Sequence, residues 1–296
     1  MAFFYVSDLG STLKYMSKFE GIPIVDTMIG FKDAKSSHYV PASVREGDQG
    51  DDHVADYMFK DVPVAAEDDD AIQRTIDAMD TNGVAKGLVT LLGSKALTAA
   101  EAHPEKFLLC SDVDPNNVMA AVQKIRDEHE RYQTKAVSFF PSGCNPHVPI
   151  DDAKTYPIYA TCVELNLPVF VNAGVPGPLV TGDAQYVGRF DTVCYDFPDL
   201  KVVMRHGAEP DEKLAVKLML KWPNLFYSTS AFAPKHYPKA IIEYANTRGA
   251  HKIMYGGYFP FGLELDRIMD EMKDVPFRDH VWEPFLSSNA TTVLGL

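Results

Sequence analysis

His206 closes the run Val202-Val203-Met204-Arg205-His206-Gly207, and an imidazole ending an apolar run can exchange a proton near neutral pH. Placement at a strand end rather than on a loop would fix its geometry. Arg205 precedes it and, by the period of two along a strand, is expected to point outward into a salt bridge with a helix layer. Ser138 and Ser230 end two further apolar runs. No Gly-x-Ser-x-Gly turn surrounds either, so both read as substrate contacts rather than nucleophiles. In Pro141-Ser142-Gly143-Cys144-Asn145-Pro146-His147 a thiol and an imidazole stand three residues apart. That pairing is unspecific; the segment is expected to shape a pocket, with His147 touching the substrate.

These residues need a scaffold, and the chain supplies a repeating one. Short β-branched runs alternate with longer stretches of helical period, the mark of βα units and a parallel sheet. Strands are expected over residues 22–27, 85–91, 107–112, 135–140, 168–172, 201–206, 224–229 and 252–257. Eight runs are what a closed (β/α)8 barrel requires, in a single domain spanning 1–296. Helices are expected over 70–79, 117–132, 156–165, 190–197 and 211–221. In such a barrel the site lies on the loops at the C-terminal ends of the strands. The longest of these, about 31–69, is acidic and carries Tyr39, Tyr57, Met58 and Phe59. It reads either as a lid over the mouth or as a solvated insertion.

Composition excludes several classes of function. The 296 residues are 46% apolar and 23% charged, which suits a globular chain with a sizeable core. A net charge of −13 and no Lys/Arg cluster among aromatics argue against nucleic acid. The four cysteines have no zinc-type spacing, and Cys110, Cys162 and Cys194 read as small buried hydrophobes. The first residues lack the basic and apolar regions of a signal peptide, and no stretch is long and apolar enough for a membrane span. The expected compartment is the cytoplasm and the expected partner a small-molecule substrate, with homo-oligomerisation left open.

Four strand endings carry a resemblance. Val25-Asp26-Thr27-Met28-Ile29-Gly30, Pro168-Val169-Phe170-Val171-Asn172-Ala173-Gly174, the run ending Arg205-His206-Gly207, and Tyr255-Gly256-Gly257-Tyr258-Phe259-Pro260 resemble the strand-end motifs of the amidohydrolase-2 family of barrel hydrolases and decarboxylases. Those motifs read D-x-H-x-H, P-V-x-x-H-x-G, an apolar run ending H-x-G, and G-[ST]-D-[YF]-P. Further segments, such as Phe197-Pro198-Asp199-Leu200-Lys201-Val202-Val203 and the tail from Ser288 to Leu296, extend the resemblance over about 20–296.

The resemblance implies an amidohydrolase-like barrel in which Met28 and Gly30 stand at the H-x-H positions, Asn172 at the next His and Tyr258 at the metal-binding Asp. Only His206 keeps its family identity. A thioether, a glycine, an amide and a phenol are poor partners for a hard catalytic ion, so no metal or other cofactor is expected. The expected function is a divergent, metal-independent enzyme acting on an aromatic-acid or lactone-like carbonyl compound by hydrolysis or an acid/base lyase step. His206 would transfer the proton, Tyr258 and Asn172 would donate hydrogen bonds, and Met28 would touch the substrate. Asp26 would be a supporting group or a buried carboxylate with a raised pKa. Two alternatives stand beside this one: a catalytically silent barrel kept for ligand or partner binding, and a metal site rearranged around Asp26, His206 and either His53 or His147.

Overall fold

A computed structural model describes residues 21–32, 41–49, 57–58, 62–64 and 70–296. His53, Tyr39, Phe59 and most of the acidic 31–69 segment lie outside the described residues, as do the first twenty. Eight parallel strands follow one another around the sheet in sequence order. They are β1 (Ile24–Ile29), β2 (Val84–Thr90), β3 (Phe107–Asp112), β4 (Ala136–Phe139), β5 (Val169–Asn172), β6 (Val202–Arg205), β7 (Leu225–Ser228) and β8 (Ile253–Met254). β8 is shorter than expected because the chain turns away after Met254, through Gly256 and Gly257, to a left-handed Tyr258. That departure closes the circle: Thr27 N–H donates to Tyr255 O at 3.1 Å, Tyr258 N–H to Met28 O at 2.9 Å and Gly30 N–H to Phe259 O at 3.0 Å.

The expected helices are present as α1 (Ala71–Thr81), α3 (Val118–Tyr132), α4 (Tyr156–Glu164), α5 (Phe190–Asp196) and α6 (Glu212–Lys221). The Asp70 carboxylate caps α1, accepting from Ile72 N and Gln73 N. Helices not read from the sequence are α2 (Ser94–Ala102), α7 (Lys239–Tyr244), α8 (Leu265–Met272), α9 (Asp279–Glu283) and α10 (Asn289–Leu294).

Two apolar layers follow from the strand period. Ile24, Val169, Val171, Val202 and Met204 face the helices in the larger core. Val25, Leu88, Leu108, Cys110, Ala136, Phe170, Val203 and Met254 fill the barrel interior, which Ala290, Val293 and Leu294 of α10 close from below. Everything above that inner plug is available to a site. Among the described residues no helix is long and apolar enough to cross a membrane.

Candidate active site

The inner plug sets which residues come next along each strand. Two residues above Cys110 on β3 is Asp112, above Ala136 on β4 is Ser138, above Phe170 on β5 is Asn172, and above Val203 on β6 is Arg205. Neighbouring strands pair Asp112 with Ser138 and Asn172 with Arg205. Four successive strands thus raise an acid, a hydroxyl, an amide and a guanidinium into the barrel mouth. All four line a cavity of about 720 Å³.

Arg205 therefore points inward, contrary to the outward placement expected from the sequence. The expectation took His206 as the regular inward residue. In fact the regular inward positions of β6 are Val203 and Arg205, and His206 has a left-handed backbone with φ of 62°. That turn interrupts the alternation and lets consecutive side chains face the same cavity. Arg205 is 5% exposed, lies 5.6 Å above the Phe170 ring, and makes no ion pair or hydrogen bond with any described residue. Its burial lowers its pKa, opposed by the nearby Cys110 and Asp112.

His206 lines the cavity, with its ring 5.6 Å from that of Tyr258. Its Nδ1 lies 3.1 Å from Ser230 Oγ, and the same oxygen accepts the His206 backbone N–H at 3.4 Å. A hydroxyl oxygen has two lone pairs, so it can accept both the amide and an Nδ1–H or instead donate to Nδ1, and either tautomer satisfies this contact. The imidazole is neutral and turns its Nε2 edge away from Ser230. Burial first, and the Arg205 cation second, push its pKa down to about 3. The expectation of a histidine titrating near neutrality is corrected on this ground. The ring is enclosed by protein but partly open to the cavity, so water in the cavity weakens the shift and an apolar ligand restores it.

The carboxylates behave in the opposite sense. Asp112 is pushed up to about 6 by burial, against the pull of Lys124, Arg205 and the Ser138 hydroxyl, which donates to its Oδ1 at 3.3 Å. The sequence reading missed Asp112, although a carboxylate ending the apolar run Phe107–Asp112 at the active end of a strand was a readable signal. Asp26 is fully buried and pushed up to about 7 by that burial. It is not among the cavity-lining residues. Its Oδ1 accepts from Met28 N and Gly257 N, both at 2.8 Å, tying β1 to the turn that carries Tyr258. Burial holds the Tyr258 phenol at about 12, so it stays protonated.

The remaining expected residues divide. Met28, Asn172, Ser138, His206 and Tyr258 all line the cavity. Ser230 sits fully buried behind His206 rather than on the cavity wall. His147 is also off the wall, with Nδ1 3.2 Å from Thr181 Oγ1. Cys144 is buried, donates to Phe140 O at 3.3 Å and has its thiol pushed up by burial, so it forms no activated pair with His147. All four cysteines are free and buried. Phe31, Phe139, Phe140, Phe232 and Phe261 supply aromatic wall, and Tyr57 and Met58 reach the cavity from the segment after β1.

A family-type metal centre needs about three ligands around one open position. Met28, Gly30, Asn172 and Tyr258 offer a thioether, no side chain, an amide and a protonated phenol, while His206 Nδ1 is already engaged by Ser230. Among the described residues no group of three His, Cys, Asp or Glu is arranged to hold an ion. The donor set does not fit the group.

The comparisons with known proteins agree on the frame. The amidohydrolase family model matches residues 23–296. The chain belongs to the amidohydrolase family. No curated protein matches it. Among solved structures it is similar to an uncharacterised TIM-barrel protein, Bb4693, from Bordetella bronchiseptica, with a TM-score of 0.73 and 21% identity over 92% of this chain and 98% of that one. It is also similar to 5-carboxyvanillate decarboxylase from Novosphingobium aromaticivorans in complex with manganese and a nitrobenzoic acid, with a TM-score of 0.67 and 13% identity over 94% and 97% of the two chains. For 2,6-dihydroxybenzoate decarboxylase from Rhizobium the TM-score is 0.61, with 12% identity over 91% and 99%. At these identities the likeness is one of fold.

Proposed function

We propose that this amidohydrolase is a metal-independent enzyme acting on a small aromatic acid or lactone-like carbonyl compound by hydrolysis or an acid/base lyase step. The observation that carries the reading is Arg205: a guanidinium that is 5% exposed, unpaired among the described residues, and set in a cavity with aromatic walls. Burying a charge without a partner costs several kcal/mol, and an anionic ligand would offset that cost. Phenyl walls around a cation suit a planar acid. Arg205 would hold an anionic oxygen, with the neutral His206 imidazole, the Tyr258 O–H and the Asn172 amide as hydrogen-bonding groups around it. Proton transfer moves from His206, whose pKa lies too low, to the Asp112 carboxyl near 6. The decarboxylases of similar fold act on hydroxylated benzoates by their names, which favours the same ligand class here.

The test is a screen of hydroxybenzoates and aryl lactones for turnover, with Arg205→Met as control. Turnover in the wild type, lost about 10²-fold or more in Arg205→Met, is the expected result. Binding of these acids without turnover would favour a second reading, a barrel kept for ligand capture, which the withdrawal of His206 from the neutral pH range also suits. Turnover restored only by added manganese would overturn metal independence.

A further inference from the structure

Asp112 and Arg205 face one cavity and influence each other electrostatically, yet no nitrogen–oxygen pair between them falls within 4.0 Å. A cation and an acid that could neutralise each other are held apart across the barrel mouth, on β3 and β6. The strands between them contribute Ser138 and Asn172. The two groups are thus beyond ion-pair contact, and both are open to the same cavity. We propose that Arg205 and Asp112 form a proton-linked acid subsite: a ligand carboxylate enters between them, ion-pairs with Arg205, and is taken up together with one proton that lodges on Asp112. This deepens the reading given under the proposed function and rests on it.

The physical chain is short. While the site holds only water, Arg205 supports the Asp112 carboxylate, as do Lys124 of α3 and the Ser138 hydroxyl of β4. Cys110 on the same strand, Glu128 on α3 and Cys144 after β4 face Asp112 as well, Glu128 opposing its ionisation. Lys124, the stronger of the two cationic supports, donates to the Asp112 carbonyl at 2.6 Å and pairs with Glu128 at 3.7 Å, so its support remains and the change on binding is the one at Arg205. A carboxylate bound to Arg205 cancels the support of that cation and adds a second negative charge in a desolvated cavity. Two carboxylates so placed share a proton, because both cannot remain ionised at close range. The proton comes through solvent from the buffer acid, which loses it as the carboxyl O–H forms; that O–H then donates to the ligand, and no other bond is made or broken. Asp112 lies at about 6, so a further rise of about two units brings uptake close to one proton at pH 7.

Benzoate is the probe, titrated calorimetrically into the whole protein at pH 7 in two buffers of different ionisation enthalpy. The expected result is binding with uptake of roughly one proton per benzoate. Asp112→Asn keeps the binding and loses the uptake; Arg205→Met weakens binding by about tenfold or more. Ser138→Ala withdraws one hydrogen bond from the Asp112 carboxylate and shifts the uptake profile to higher pH, a second readout that does not depend on Asp112→Asn folding. Benzoate bound without proton uptake, or with uptake that persists in Asp112→Asn, overturns the subsite and leaves the aromatic-acid reading standing. No benzoate binding to the wild type overturns both.

Discussion

Among single residues, the two buried aspartates divide between function and support. Asp112 faces the cavity, whereas Asp26 lies behind the wall and grips the backbone of Met28 and Gly257. Its consequence is felt in stability. The folded pKa near 7 exceeds the ordinary 3.8, so between those values the native state holds a proton that the unfolded chain has released. Stability from this group is therefore fullest below about pH 4 and declines by roughly 1.4 kcal/mol per pH unit until about pH 7, where it flattens. Asp26→Asn keeps an acceptor oxygen for both amides and removes the titration. Urea unfolding at pH 5 and pH 7 should show the wild type losing about 2–3 kcal/mol relative to Asp26→Asn over that interval. Parallel pH profiles for the two proteins would refute a raised Asp26. His206, Tyr258, Asn172 and Met28 were legible in the sequence as mouth residues because strand ends announce them. Arg205 and Asp112 were not, the first because one left-handed residue broke the alternation and the second because no motif flagged it.

Among elements, all eight strands were readable in place, since a buried parallel strand is an uninterrupted apolar run, but β1 sits two residues later than expected and β8 ends three residues earlier. The helical period stood out best in the longest helix, Val118–Tyr132, although the shorter Tyr156–Glu164 and Phe190–Asp196 were also read. Short ones such as Lys239–Tyr244 and Asp279–Glu283 span too few turns for a stripe to stand out. The loops that complete the mouth are stitched to each other rather than to the core. Gly174 N–H donates to Gln185 O at 3.0 Å and Val175 N–H to Glu209 O at 2.7 Å, joining the loop after β5 to the loop after β6. Gly174 has φ of 86°, and a Cβ there would strike the Glu209 carbonyl. Gly174→Ala should accordingly cost about 1–3 kcal/mol from backbone strain alone, with the clash added, and should weaken benzoate binding by displacing the loop beside Arg205 and His206. A denaturation midpoint equal to wild type would refute the close approach.

For the molecule as a whole, the barrel is sealed below by α10 and open above, so its chemistry concentrates at one end. Stability should come from the two apolar layers and the hydrogen bonds that close β1 against the Tyr255–Phe259 segment, with no contribution from an ion. Anything bound only to the native state raises the unfolding temperature by mass action. Treatment with EDTA should thus leave the thermal midpoint unchanged, as followed by circular dichroism. A fall of several degrees, reversed by manganese or zinc, would mean that donors outside the described residues complete a metal site.

Arg205 also constrains how a family-type metal site could be built on this frame. Substituting His at Met28 and Gly30 and Asp at Tyr258 would rebuild much of the family's donor set on an intact frame, yet the guanidinium would remain in the same cavity. A divalent ion about 6 Å from a guanidinium is repelled by roughly 5 kcal/mol at an effective dielectric near 20. Ligand substitutions would therefore bring little metal affinity while Arg205 remained, and on the proposed reading its loss would forfeit the anionic ligand. The order of such substitutions, as much as their number, would then decide whether a metal site could be built on this frame.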